Sequence, residues 1–418
     1  MKLSNAQKTA LFLILEGIAA AVILNLYNPF TQMFAKRMGA GDIHIALINS
    51  LPQLVAILVL IPCSIYIDKV RNKKLATCLL ILFNSLFYAL IAFVPFLPDG
   101  IRLIFYVLLI GLMNWPGSLY TTTWQSFFCY TFSGNEANRV YSLRSKYSAF
   151  FGMLAALVAG YILAVVPKND SQRVAVYQII YAACFAISIF QSVALSKAKQ
   201  ENSAVQACEI TDSGFRMKDF REIFSNKRFI IYSLCAFAFH VSWHMGWPLF
   251  FIYHTDIVKA NEFQLGMISV IGGLSQFLSY SMWNRVVEKK GGSIVIFLGA
   301  LGLAMNPFLY LMTNHILFVL LINVFIGVAV AGFNLSLFCN LLNILPENKK
   351  TVYISFFNTF INISGFASPL IGVWMNRHTG IVKAFLIIGL FRIITSMFFA
   401  IRWFTDKSIP ADSCKRSC

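Results

Sequence analysis

The sequence predicts an all-α polytopic membrane protein whose twelve spans form two pseudo-symmetric six-helix bundles, with both termini cytoplasmic. Three observations carry this. The 418 residues are 58% hydrophobic and only 12% charged, about half the charge of a soluble domain, so much of the surface needs lipid around it. Apolar runs of the roughly 20 residues that cross a bilayer as helix recur along the chain. A basic bias also alternates between successive connections.

The first six spans are expected at 9–34, 45–67, 74–95, 102–130, 147–166 and 174–195. The first is too long for a cleavable signal, holds Glu16 and lacks a small-residue cleavage site, so it reads as a span. The second ends at the basic stretch around Lys69–Lys74, and the fifth follows another at Arg139–Lys146. Pro29 and Pro116 fall inside spans, where neighbouring helices or water can satisfy the freed backbone groups. A polar, charged connection at 196–228 then separates domain 1–195 from domain 229–404. Its Asp219–Phe224 stretch is a short interfacial helix or a plain loop.

The second six spans are expected at 229–253, 264–287, 292–312, 315–344, 351–374 and 380–404, before a cytoplasmic tail at 405–418. Met245-Gly246-Trp247-Pro248 in the seventh predicts a kink or an unwound turn. Tight turns are expected at 313–314 and 375–379.

Of the 34 Lys and Arg, twenty-five fall on the connections that an inside N-terminus makes cytoplasmic and eight on the others, with Arg392 inside the last span. That asymmetry orients the chain. The net charge of +17 is thus a topology signal. Neither zinc-finger spacing nor a long basic helix points to nucleic acid. The nine cysteines form no disulfide framework: six lie in or beside apolar runs, and Cys208, Cys414 and Cys418 lie in expected cytoplasmic segments.

An internal repeat strengthens the two-bundle reading. After the second span comes Ser64-Ile-Tyr-Ile-Asp68-Lys69-Val-Arg71-Asn-Lys73-Lys74. After the eighth comes Asn284-Arg-Val-Val-Glu288-Lys289-Lys-Gly291-Gly292. In each, a small or polar residue precedes an acid by four positions and Lys follows at once. On these residues the chain resembles the major facilitator superfamily over its whole length. That family's loop after the second helix reads Gly-x-x-x-Asp-Arg-x-Gly-Arg-Arg/Lys; the chain matches at Asp68 and Lys73, and departs at Ser64, Lys69 and Arg71. The resemblance implies two bundles around a central cavity, lined by spans 1, 4, 7 and 10. It also implies a gating loop that joins the bundles, here Asp68 and Lys69 with Glu288 and Lys289 in the second copy. Arg139 and Arg144 are the expected partner region, or these cations simply mark the inner face.

Polar side chains deep in spans need a cavity or a partner, and Asn49 in the second span and Asn114 in the fourth are among them. The expected substrate-cavity residues are Asn25, Asn28, Trp115, Trp124, Gln125, His240, Trp243, His244, Trp247, Asn334, Asn358 and Asn362. His240 and His244 share one helix face. As histidines they suit proton coupling or an anionic group, or they are neutral rings bonded to neighbouring helices. Two His without a nearby Cys or carboxylate make an incomplete metal site, so no metal is expected. Glu16 is a second proton-coupling candidate, or a packing partner for a nearby cation. Arg392 reads as a structural or lipid-facing side chain. The Asn-x-Ser patterns at Asn334 and Asn362 lie within spans and are not glycosylation sites.

No Gly-Lys-Ser phosphate loop is present and no cofactor is expected. No acid, base or metal constellation points to an enzyme. The expected function is proton-coupled efflux of an amphiphilic or aromatic compound. The alternatives are import of a sugar-like or other polar nutrient, and solute sensing without transport. Expected partners are a small-molecule solute, membrane lipid and protons, with a monomer in the plasma membrane, by analogy the bacterial inner membrane.

Overall fold

The computed structural model describes residues 5–70, 72–132, 134–198, 223–345 and 350–405. Twelve helices among them are long and apolar enough to cross a membrane, and the chain is a multi-pass membrane protein. The chain divides into compact units at Met1–Gly214 and Phe215–Cys418. Most of the expected connection, 199–222, and all but the first residue of the expected tail lie outside the described residues, as do Cys208, Cys414 and Cys418.

In the first unit the first span is two helices, α1 (Asn5–Tyr27) and α2 (Thr31–Arg37), with a 3-10 turn at Asn28–Phe30 between them. Pro29 lies in that turn and has no N–H to donate, so the regular ladder stops there. Thr31 Oγ1 bonds back to the Tyr27 carbonyl at 3.1 Å. The remaining helices are α3 (Asp42–Lys69), α4 (Lys73–Phe93), α5 (Asp99–Thr131), α6 (Gly134–Val165) and α7 (Asp170–Lys197). Asn72 caps α4 by accepting from Leu75 N, and Asn169 caps α7 by accepting from Gln172 N.

In the second unit come α8 (Lys227–Ile252), α9 (Glu262–Lys290), α10 (Gly292–Leu311), α11 (Ile316–Leu342), α12 (Lys350–Thr379) and α13 (Ile381–Thr405). A π-helical turn at Tyr253–Ile257 follows α8.

Three boundaries differ from expectation. α6 begins at Gly134, so Arg139 and Arg144 stand on its first turns rather than in a connection. Backbone bonding continues past the edge of the apolar run, which hydropathy alone does not register. The α8 helix runs unbroken through Met245–Pro248, and its irregularity falls five residues later at the π turn. The predicted turn at 375–379 is helical to Thr379, and the chain reverses at Gly380 alone, whose φ of 80° favours glycine.

The same five helix pairs dominate both units. The first packs α1 on α6, α1 on α7, α3 on α5, α4 on α5 and α4 on α7. The second packs α8 on α12, α8 on α13, α9 on α11, α10 on α11 and α10 on α13. Each pair in the second unit is its counterpart in the first moved on by six spans, which is the pseudo-symmetry the repeat predicts.

Burial follows the lipid-as-solvent rule. On α4, Cys78, Ile81, Ser85, Tyr88 and Ile91 face inward, while Leu75, Leu79, Leu82, Leu86, Leu90 and Phe93 are exposed. An apolar exposed stripe at helical spacing suits hydrocarbon and would be a liability in water.

Candidate functional site

The break in the first span shapes a cavity inside the first unit. Its volume is about 360 Å³, within the size range of small-molecule sites. Tyr27 and Asn28 border it at the break, followed by Thr31 and Gln32 on α2. Asn49 enters from α3, Asn84 from α4 and Asn114 from α5, with Leu24, Ile48, Pro52, Ile110 and Met113 as apolar wall. None of the lining side chains is charged.

The carboxamides are held by their own bonds. Gln32 Nε2 donates to Asn49 Oδ1 at 3.0 Å, and Asn49 Nδ2 donates to the Ile45 carbonyl at 2.8 Å. Asn114 Nδ2 donates to the Pro52 carbonyl at 2.6 Å, joining α5 to α3. Asn84 Nδ2 donates to Tyr88 Oη at 3.1 Å, while its Oδ1 is buried without a partner. One or two amide contacts thus orient each group and leave further donor or acceptor capacity for a ligand.

Glu16 lies elsewhere in the first unit, fully buried. One carboxylate oxygen accepts from Tyr120 Oη and from Gln191 Nε2 at 2.9 Å. The other accepts from Arg144 Nε at 3.3 Å and Nη2 at 3.0 Å. The Arg144 guanidinium lies 3.9 Å over the Trp124 ring. This network ties α1 to α5, α6 and α7 around one carboxylate.

In the second unit, α8 carries His240, Trp243, His244 and Trp247 along one stripe. His240 Nδ1 meets the Ala236 carbonyl at 2.7 Å, and His244 Nδ1 meets Ser364 Oγ on α12 at 2.9 Å. Arg392 of α13 is fully buried and donates to the carbonyls of Ser242, Trp243 and Leu303 at 3.0–3.2 Å.

Of the expected cavity residues in the first unit, Asn28 lines the cavity. Asn25 instead donates to the Ala21 carbonyl at 2.9 Å. Trp115 is 42% exposed and edge-on to Phe83, Trp124 is buried in the core against Phe128, and Gln125 is exposed. In the second unit Asn334 and Asn362 are half-buried and Asn358 is exposed. Of the gating set, the side chains of Asp68 and Lys69 lie outside the described residues. Arg139 and Lys289 are exposed, and exposed Glu288 accepts from Asn284 at 3.1 Å. Gln32 and Asn84 were not expected in the site. A signal existed for Gln32, since Asn28-Pro29 and Thr31-Gln32 interrupt an apolar span together. Asn84 sits alone in its span, and only packing reveals its direction. Among the described residues, no group of three metal-ligating side chains occurs.

Residues 232–415 match the Major Facilitator Superfamily family model. No curated protein matches the chain in sequence. The nucleoside transporter NupG superposes with a TM-score of 0.69 at 12% identity, covering 97% of this chain and 100% of its own. The D-xylose-proton symporter gives 0.67 at 12%, covering 98% of each chain. A bacterial homolog to the human lysosomal transporter Spinster, in its inward-facing and unoccupied conformation, gives 0.65 at 12%, covering 96% of each. The second half of the chain thus matches the Major Facilitator Superfamily model in sequence, and its whole length has the fold of these solved transporters.

Proposed function

We propose that the chain carries a small, neutral, polar organic solute across the membrane by alternating access. The observation that carries this is the first-unit cavity, where Gln32, Asn49, Asn84 and Asn114 present carboxamides and no charged side chain. A neutral solute with several hydroxyl or N–H groups satisfies such a lining. An ion would be stripped of water without a counter-charge. This favours the polar-nutrient alternative over amphiphile efflux, because Trp115 and Trp124 stand away from the cavity. Nucleosides and D-xylose, named for two of the structural neighbours, are solutes of that kind. In the proposal, rocking of the two bundles exposes the site to alternate sides, and both termini face the cytoplasm as the Lys and Arg bias indicates. Glu16, already held by four hydrogen bonds, serves as an anchor rather than as the proton carrier.

Counterflow in liposomes holding the purified protein tests this, with labelled uridine, D-xylose and tetraphenylphosphonium as probes. Exchange of a neutral solute is expected. It should fall about tenfold or more in Asn114→Leu, the scale of one lost orienting contact and one blocked polar wall. Exchange of the lipophilic cation alone would sink the reading. Saturable binding without exchange would indicate a sensor.

A further inference from the structure

The hydrogen bonds of the two α8 histidines define which ring nitrogen is left for chemistry. The Ala236 carbonyl can only accept, so the neutral His240 ring carries its proton on Nδ1. Ser364 Oγ donates its own proton to the Ile361 carbonyl at 2.7 Å, so it accepts from His244 Nδ1 at 2.9 Å. Both rings therefore hold Nε2 as a bare lone pair. Neither Nε2 has a hydrogen-bond partner among the described residues, and neither is sealed from contact, although each residue is only 4% exposed. Such a narrow opening gives water little room to serve both acceptors, and a ligand donor that reaches them makes a shielded hydrogen bond.

The surroundings say what kind of donor fits. His240 and His244 have ring centroids 5.3 Å apart, one helical turn along the same face. Trp247 is 4.2 Å from His244, and Trp243 is 5.5 Å from His240. Phe333 of α11 comes within 5.6 Å of His240. These are flat, apolar walls beside two acceptor rings one helical turn apart. Two imidazoles at this spacing also suit a transition metal, but charge argues against one. Arg392 holds the carbonyls of Ser242 and Trp243, the turn between the histidines, and makes no ion pair with a carboxylate among the described residues. An unneutralised cation behind the site repels a second one in a low-dielectric interior.

We infer that His240 and His244 form a subsite for an uncharged planar ring that donates through N–H groups, with the ring lying against Trp243 and Trp247. The subsite is in the second unit and does not rest on the carboxamide cavity.

The test uses 2-benzimidazolone, which has two N–H groups on one edge, and its 1,3-dimethyl form, which has the same ring and no donor. Binding to the full-length protein in detergent is measured by calorimetry. The parent is expected to prefer the N–H form by about tenfold or more, since each neutral hydrogen bond contributes up to roughly tenfold. His240→Asn and His244→Asn place an amide N–H where Nδ1 stood and remove Nε2, so they retain the bonds to Ala236 and Ser364. In these variants the preference should shrink toward unity while Asn114→Leu leaves it unchanged. Equal binding of the two probes by the parent would overturn the inference. So would saturable Zn²⁺ binding that competes with the N–H probe and disappears in both Asn variants. Loss of the preference in Asn114→Leu, with the histidine variants intact, would move the probe to the carboxamide cavity and overturn it as well.

Discussion

Arg144 reaches from α6 to meet Glu16 of α1 at 3.0 Å, and the same guanidinium covers the ring of Trp124. One cation thereby neutralises a fully buried carboxylate and rests on an aromatic face, an arrangement suited to Arg and not to Lys. Removing Arg144 leaves the carboxylate buried with only neutral donors. Arg144→Met is therefore expected to cost about 3–5 kcal/mol. Glu16→Gln combined with Arg144→Met should recover part of that loss. A double-mutant cycle in thermal melts of the solubilised protein gives the coupling, and simple additivity would mean the pair contributes nothing specific.

Arg144 lies where α1 has no side chain. A Cβ on Gly17 would meet Arg144 Cγ and Nε at 2.5 Å. Gly17→Ala should thus act by displacing Arg144, at a cost of about 1–3 kcal/mol. In the Arg144→Met background most of that cost should vanish, because the obstructing guanidinium is gone. The melt of the double variant checks this; an undiminished cost would place the strain in the α1–α6 backbone contact instead.

Arg392 occupies a similar notch, with its Nη2 at 2.6 Å from a Cβ built on Gly246. Its three carbonyl contacts span α8 and α10, a reach that a single ammonium cannot reproduce. Arg392→Lys retains the buried charge with fewer bonds, whereas Arg392→Met removes the charge and fills much of the volume. The lysine variant is expected to melt lower than the methionine variant, by an amount equivalent to about 1–3 kcal/mol. The opposite order would show that the positive charge itself is what the fold requires.

Gly372 brings α12 onto α8, so close that a Cβ there would collide with the Met245 carbonyl oxygen. Backbone cannot swing aside as a long side chain does, and in a membrane such small-residue contacts are a main source of helix association. Gly372→Ala should cost about 2–3 kcal/mol, while Gly273→Ala, which meets nothing within 4 Å, should raise the melt by the equivalent of about 0.5–1 kcal/mol. Comparing the two in one experiment separates packing from the general helix preference for alanine, which favours both substitutions.

Much of the architecture is legible before any coordinates. The twelve apolar runs locate the spans, and the Asp68/Glu288 repeat anticipates the matching helix pairs of the two units. The details lost are those in which hydropathy and hydrogen bonding part company. Gly134–Lys146 is helical yet too charged to read as membrane, and Pro248 leaves α8 continuous although its sequence context signals a break. Asn25 and Asn28 look alike on the chain, but only the second lies at the 3-10 turn that opens onto the cavity.

Composition and charge placement by themselves determined that this is a membrane protein of twelve spans, because each crossing must carry its own apolar length whatever its neighbours are. Only the tertiary structure decided which polar side chains meet. Glu16 and Arg144 are 128 positions apart, and Gln32 reaches Asn49 across a helix connection. A carboxylate that faces lipid, a cavity or a cation is the same letter in the chain; the rotation of its helix against its neighbours sets which of them it finds, and those rotations come from side-chain packing.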